Sequence, residues 1–283
     1  MMKIGIASGA YVSRYGWSEG LRRMKRHGYE CLDYQVFSNT DTELYQIGER
    51  DFEKRLLCMR DEAVDVGIEI VQTHGPWRWP PRDYTEEDRA ERFEKMSKAI
   101  RGTALIGCSN IIIHPIMPFG VEQDPDPRKL WDMNIAFMSR LAEVGHAHGV
   151  VVNYENMPMR ALSISRPEAI LRAVKEVDSP FFKVCLDTGH CAVHGDSPAD
   201  AVRLIGKEYL STLHVHDNDG LGDLHWVPGT GVIDWGDFSA ALAEIGFEGS
   251  VSLETAVDGN LPESERETAE IALFNTVRTI AGR

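Results

Sequence analysis

The segment 213–231, LHVHDNDGLGDLHWVPGTG, places His214, His216 and His225 beside Asp217, Asp219 and Asp223. Polar loops collect Asp, Asn and Gly for turn geometry alone, and Asp217, Asn218 and Asp219 are read as turn-formers on that ground. Imidazoles and carboxylates together are also the ligand set of a divalent cation. Residues of the same types recur along the chain as His74, His114, Glu155, Asp187, His190 and Glu254. Carboxylates sharing one cleft repel each other unless they are protonated or bridged by a cation. A metal centre is therefore the chemistry these residue types suggest. None is a thiolate, so Zn, Mn, Fe, Mg or Co in an oxygen and nitrogen site is expected rather than a structural zinc finger.

Such a centre forms only if the fold brings distant residues to one place. Short β-rich runs alternate with amphipathic stretches throughout: KIGIA (3–7), CLDYQVF (31–37), IEIVQTH (68–74), NIIIHP (110–115), VVVNYEN (150–156), FKVCLD (182–187), LSTLHVH (210–216) and SVSLE (250–254). Several are nearly continuous apolar runs, as parallel strands covered on both faces require. Helical patterns such as 86–107 and 128–149 end near a glycine, and a strand follows at once. Eight strands with eight crossover helices predict a (β/α)8 TIM barrel spanning residues 1–283 as one domain. A doubly wound open sheet is the alternative, but no G-x-G-x-x-G follows the first strand.

In a barrel of this kind, the loops at the C-terminal ends of the strands carry the chemistry. His74, His114, Glu155, Asp187, His214 and Glu254 fall at the ends of the third to eighth runs. His190 follows three residues after Asp187, and Asp223 and His225 lie beyond the seventh run. All nine are expected at one mouth. Alternation is taken to turn His216 away from His214, so that the two supply a single ligand. His27, His146, His148 and His194 sit in helical or turn contexts and are read as structural. The aromatic loop GPWRWPPRDY (75–84) admits two readings: a rigid lid packed on the rim, or Trp77 and Trp79 stacking on the ring of a bound ligand.

Composition narrows the partners. A formal net charge of −14 disfavours a nucleic-acid backbone as ligand. No apolar run is long enough to span a membrane, the start resembles no signal peptide, and a cytoplasmic location is expected. The five cysteines contain no C-x-x-C, so neither a disulfide framework nor a thiolate zinc site is indicated.

HGPW, IIHP, NYEN, CLDTGH, LHVHDN, DLHWVPGTGVIDW and SLET together resemble the xylose isomerase-like TIM-barrel superfamily, from the first strand to the last helix. That superfamily contains sugar phosphate isomerases and epimerases, ketose 3-epimerases, inosose-processing enzymes and endonuclease IV. The resemblance to the ketose 3-epimerases implies one divalent ion held by Glu155, Asp187, His214 and Glu254, with Glu155 and Glu254 also the acid/base pair. It selects His214 over His216 and gives His190 a substrate-orienting role. The resemblance to endonuclease IV implies up to three ions, with His74 and His114 joining Glu155, and His190, Asp223 and His225 forming a further set. One pattern departs from the ketose 3-epimerases: the Arg they carry six residues after the metal-binding histidine is Gly220 here. The leading expectation is a metal-dependent isomerase or epimerase of a sugar, sugar phosphate, inosose or keto-sugar, working by proton transfer through an enediolate. An endonuclease IV-like phosphodiesterase and a non-catalytic sugar- or metal-binding barrel are the alternatives. The partner is then a small sugar, in a monomer or a homo-oligomer.

Overall fold

The computed structural model describes residues 2–77 and 80–282. In chain order its elements are β1 (Lys3–Ala7), α1 (Gly9–His27), β2 (Cys31–Tyr34), α2 (Glu43–Gln46), α3 (Glu49–Val66), β3 (Glu69–His74) and α4 (Glu86–Leu105). There follow β4 (Asn110–Ile113), α5 (Pro127–His148), β5 (Val151–Glu155), α6 (Pro167–Val177) and β6 (Phe182–Asp187). The chain closes with α7 (Thr188–Val193), α8 (Pro198–Tyr209), β7 (Leu210–His214), α9 (Trp235–Glu244), β8 (Ser250–Leu253) and α10 (Glu263–Ile280).

The eight strands form one parallel sheet ordered β7-β6-β5-β4-β3-β2-β1-β8. Its two edges meet just beyond β7. Val215 N–H donates to the Ser252 carbonyl at 2.9 Å, and Glu254 N–H donates to the Val215 carbonyl at 3.0 Å. These bonds close the barrel and set Glu254 beside the end of β7. The strands are apolar because helices cover them outside and packed side chains fill them inside; β2 is buried at all four positions.

Local chemistry sets the helix ends. Thr85 and Asp88 form a reciprocal capping box at the start of α4, with bonds of 3.1 and 3.0 Å. Gly67 and Gly149 cap α3 and α5 in the left-handed conformation that glycine adopts without a Cβ penalty.

The expected barrel is present, with two corrections. There are ten helical segments among the described residues rather than eight, because α2 and the six-residue α7 are additions within the loops after β2 and β6. Several strands are shorter than their hydrophobic runs, β2 ending at Tyr34 and β7 at His214. The apolar pattern continues past the last ladder bond because the chain stays buried as it leaves the barrel.

Candidate active site and metal centre

Strand ends bring the site together. His74, Glu155, Asp187 and His214 are the last residues of β3, β5, β6 and β7, while His114 and Glu254 stand one residue past β4 and β8. At the centre is the fully buried ring of His214. Its Nδ1 lies 2.9 Å from Glu155 Oε1 and 3.1 Å from Glu254 Oε2. Its Nε2 faces the other way, 2.9 Å from Asp33 Oδ2 on β2. Gln72 Nε2 donates to the same Asp33 oxygen at 3.3 Å, and Gln35 Nε2 donates to Glu254 Oε1 at 3.1 Å.

Three histidine-rich groups surround this floor. On one side, His74 Nδ1 pairs with the Gly75 carbonyl at 2.9 Å, which turns its Nε2 to within 3.1 Å of His114 Nε2. His114 Nε2 is in turn 2.9 Å from Glu155 Oε2, yet that buried oxygen makes no aligned hydrogen bond. On the other side, Asp187 Oδ1 accepts the His190 backbone N–H at 2.7 Å and caps α7, while Asp187 Oδ2 meets His216 Nε2 at 3.0 Å. The third group is Asp223, with His190 Nε2 at 3.3 Å and His225 Nε2 at 3.4 Å. His225 adopts a left-handed φ of 49°, and its Nδ1 meets the Glu254 carbonyl at 2.6 Å. A non-glycine residue held there reflects a geometric demand of the loop.

Two glycines of the sequence motifs are steric requirements. A Cβ on Gly189 would sit 2.0 Å from Cε1 of His216, so the backbone of α7 approaches that ring as only glycine allows. A Cβ on Gly231 would meet Asn218 O at 2.1 Å and Asp217 Oδ1 at 2.3 Å. Asp217 is buried and organises the loop before α9. Its Oδ2 accepts from Gly229 N–H at 2.9 Å, Gly231 N–H at 3.0 Å and Trp235 Nε1 at 2.9 Å.

The electrostatics follow from this crowding. Burial alone would raise the Glu155 carboxyl, but His214 and His114 hold it well below the usual range. Burial likewise opposes ionisation of Glu254, and His214 outweighs it and lowers the carboxyl. The His214 imidazolium is disfavoured by burial and favoured more strongly by Glu254 and Glu155, so its pKa rises well above the ordinary value. For His190 burial is overcome by Asp187 and Asp223, which push the ring up to about 10. For His114 burial outweighs the pull of Glu155 and takes the ring down to about 4.

The donor chemistry fits a divalent cation. One ligand atom from each of Glu155, Asp187, His214 and Glu254 lies within 4.8 Å of the others, as do those of His74 with Glu155 and His214. The groups Asp187, His190, His216 and His216, Asp223, His225 are equally close. Glu155 Oε2 is a buried carboxylate oxygen without an aligned hydrogen bond, the condition a bound ion would relieve. His74 and His214 also carry outer contacts of the kind that orient metal-binding rings, Gly75 O on His74 and Asp33 on His214.

All nine residues expected at the mouth are brought together there. The expectation of a single ligand from His214 and His216 is corrected: residues two apart on a strand share a face, and both rings enter the site, on different carboxylates. Trp77 lines the cavity, its ring 4.4 Å from that of His114; Trp79 lies outside the described residues. Asp33, Gln35 and Gln72 were not anticipated. The one signal was an aspartate inside the buried run CLDY, where a charge without a partner is costly. Above the floor opens a cavity of about 830 Å³ that reaches His74, His114, Glu155, His190, Asp223, His225 and Glu254.

Residues 21–275 match the xylose isomerase-like TIM barrel family, and the chain belongs to it. It is 29% identical over 266 residues to an uncharacterised protein of Methanocaldococcus jannaschii, covering 89% of this chain and 83% of that one. With the D-psicose 3-epimerase of Ruminiclostridium cellulolyticum it shares 31% identity over 204 residues, 68% of this chain and 64% of the enzyme. The crystal structure of D-psicose 3-epimerase with D-tagatose from Clostridium cellulolyticum H10 superposes with a TM-score of 0.80 at 21% identity, covering 99% of both chains, and so has the same fold.

Proposed function

We propose that this protein is a divalent-metal-dependent sugar isomerase or epimerase in which Glu155 and Glu254 move the proton. The observation that carries this reading is the convergence of two carboxylates, from the ends of β5 and β8, on one nitrogen of His214. When bound to Glu155, Asp187, His214 and Glu254, a cation would neutralise the crowded carboxylates and polarise a carbonyl and its neighbouring hydroxyl, acidifying the adjacent C–H. One glutamate takes the proton from one face of that carbon and the other returns it to the opposite face. Both are held as carboxylates by the imidazoles around them, as a base requires. Gln35 fixes Glu254 through Oε1 and leaves Oε2 toward His214. His190, donating from Nδ1 to the Asn156 carbonyl at 2.7 Å, turns Nε2 to Asp223 at the cavity lining, where the ring is placed to hold a substrate oxygen. The epimerase named among the relatives supports the substrate class. Metal analysis of the purified protein, then a sugar panel with metal restored, tests the reading.

A second reading, a multi-ion phosphodiesterase, is favoured by the flanking groups at His74 with His114 and at His216, Asp223 and His225. Against it, the guanidinium of Arg160 is the one Arg or Lys among the described residues lining the cavity, and it is bonded to backbone carbonyls. One ion by anomalous scattering in a fully loaded crystal would remove this reading, whereas efficient cleavage of abasic-site DNA would establish it.

A further inference from the structure

From the upper part of the cavity we infer that the substrate is a neutral sugar carrying an apolar substituent, a glycoside of an aryl or alkyl group, rather than a free sugar or a sugar phosphate. The inference rests on the sugar reading above and extends it from the floor of the site to its walls. The cavity, about 830 Å³, is of the size that encloses a drug-sized molecule, well beyond one sugar ring. The polar groups are concentrated at its floor. Met157, Met159, Val193 and Leu221 supply an apolar part of the wall, and Trp77 and Val121 also line the space. Leu221 is 74% exposed, an apolar side chain presented to the opening with nothing over it.

This wall is built from three separate loops, and Arg160 joins them. Its Nε donates to the Val193 carbonyl at 2.7 Å and its Nη2 to the Gly220 carbonyl at 2.9 Å. The loop after β5 is thereby tied to α7 and to the turn bearing Leu221. The same bonds occupy the Nε/Nη2 edge of the guanidinium, one of the forks through which arginine grips a phosphate or carboxylate. Glu122 adds negative charge to the lining, and the Asp223 carboxylate is already paired with His190 and His225. An anionic substituent would meet Glu122 and an engaged arginine, whereas an apolar one would cover Leu221 and the methionines. Thioether side chains adapt to varied apolar shapes, which suits a family of substituents.

Calorimetric titration of the metal-loaded protein with methyl and phenyl β-D-glucopyranosides, their 3-keto forms and D-glucose 6-phosphate tests this. The phenyl compounds should bind at least about tenfold more tightly than the methyl ones, the gain expected from burying roughly 60 Å² of additional apolar surface. Leu221→Asp, at a solvent-exposed position, should collapse that ratio. Equal affinity of methyl and phenyl compounds, or tightest binding of the 6-phosphate, would overturn the inference and leave the sugar reading standing. Failure of every compound to bind, with metal present, would likewise overturn the inference, and the separate sugar panel decides the wider reading.

Discussion

Asp33 and His214 are 181 residues apart in the chain and 2.9 Å apart in the fold, with carboxylate Oδ2 against imidazole Nε2. Both side chains are fully buried. The contact fixes the ring so that Nδ1 points at Glu155 and Glu254, and the carboxylate makes that nitrogen more basic. Removing such an outer partner costs about 10–100-fold in metal affinity. Asp33→Ala should weaken metal binding by that factor in a chelator-competition assay, and Asp33→Asn, which keeps an acceptor, should weaken it less. Unchanged affinity in both variants would show that the contact serves packing alone.

Asp187→Ala should abolish metal retention and turnover while keeping the barrel. The carboxylate also caps α7, so a stability loss of about 1 kcal/mol is expected from the cap. Metal content and far-UV dichroism, measured together, separate the two effects. Full metal content in the folded variant would refute the four-residue centre.

Asp217 has a different task, although it stands three residues from His214. Its carboxylate gathers Gly229, Gly231 and Trp235 and so shapes the segment before α9. Asp217→Ala leaves these partly buried N–H groups without their acceptor and should cost about 2–4 kcal/mol in urea unfolding. A loss below about 0.5 kcal/mol, the scale of ordinary surface changes, would contradict that role.

His27, remote from the site, gives a pH prediction. Burial first, then Arg26 and Arg23, hold its pKa below the ordinary 6.5 against the pull of Glu267. The folded chain resists a proton there that the unfolded chain accepts. The resulting stability is present above about pH 6.5 and is lost as pH falls below it. Tyr11 pairs with His27 Nδ1 at 2.8 Å, and Glu270 lies 3.7 Å from the same atom. The buried Glu270 carboxyl is raised and acts in the opposite sense, so the relevant quantity is the difference between wild type and His27→Gln. That difference should vary with pH between about 5 and 7, and a flat difference would argue against it.

The barrel was legible because parallel strands leave continuous apolar runs; β1 and β6 coincide with KIGIA and FKVCLD to the residue. The ligand ring was legible for a related reason. Strand ends in a closed barrel converge, so His74, Glu155, Asp187 and His214 needed only their position at the ends of runs. Asp33 was hidden because its partner is fixed by barrel closure rather than by local spacing. His216 was misassigned through the strand alternation, which puts residues two apart on one side, not on opposite sides. The wall carrying Leu221 and Met159 comes from loops without period, where hydrophobic patterning carries no directional information.

The most direct test of the central claim is solvent exchange at carbon. Metal-loaded protein incubated with its sugar substrate in heavy water should place deuterium at the reacting carbon. Glu155→Gln and Glu254→Gln keep an oxygen near His214 but remove the base, and each should slow that exchange at least about a hundredfold. Turnover of the sugar with no deuterium at any carbon, or exchange undiminished in both variants, would contradict proton transfer by the glutamate pair.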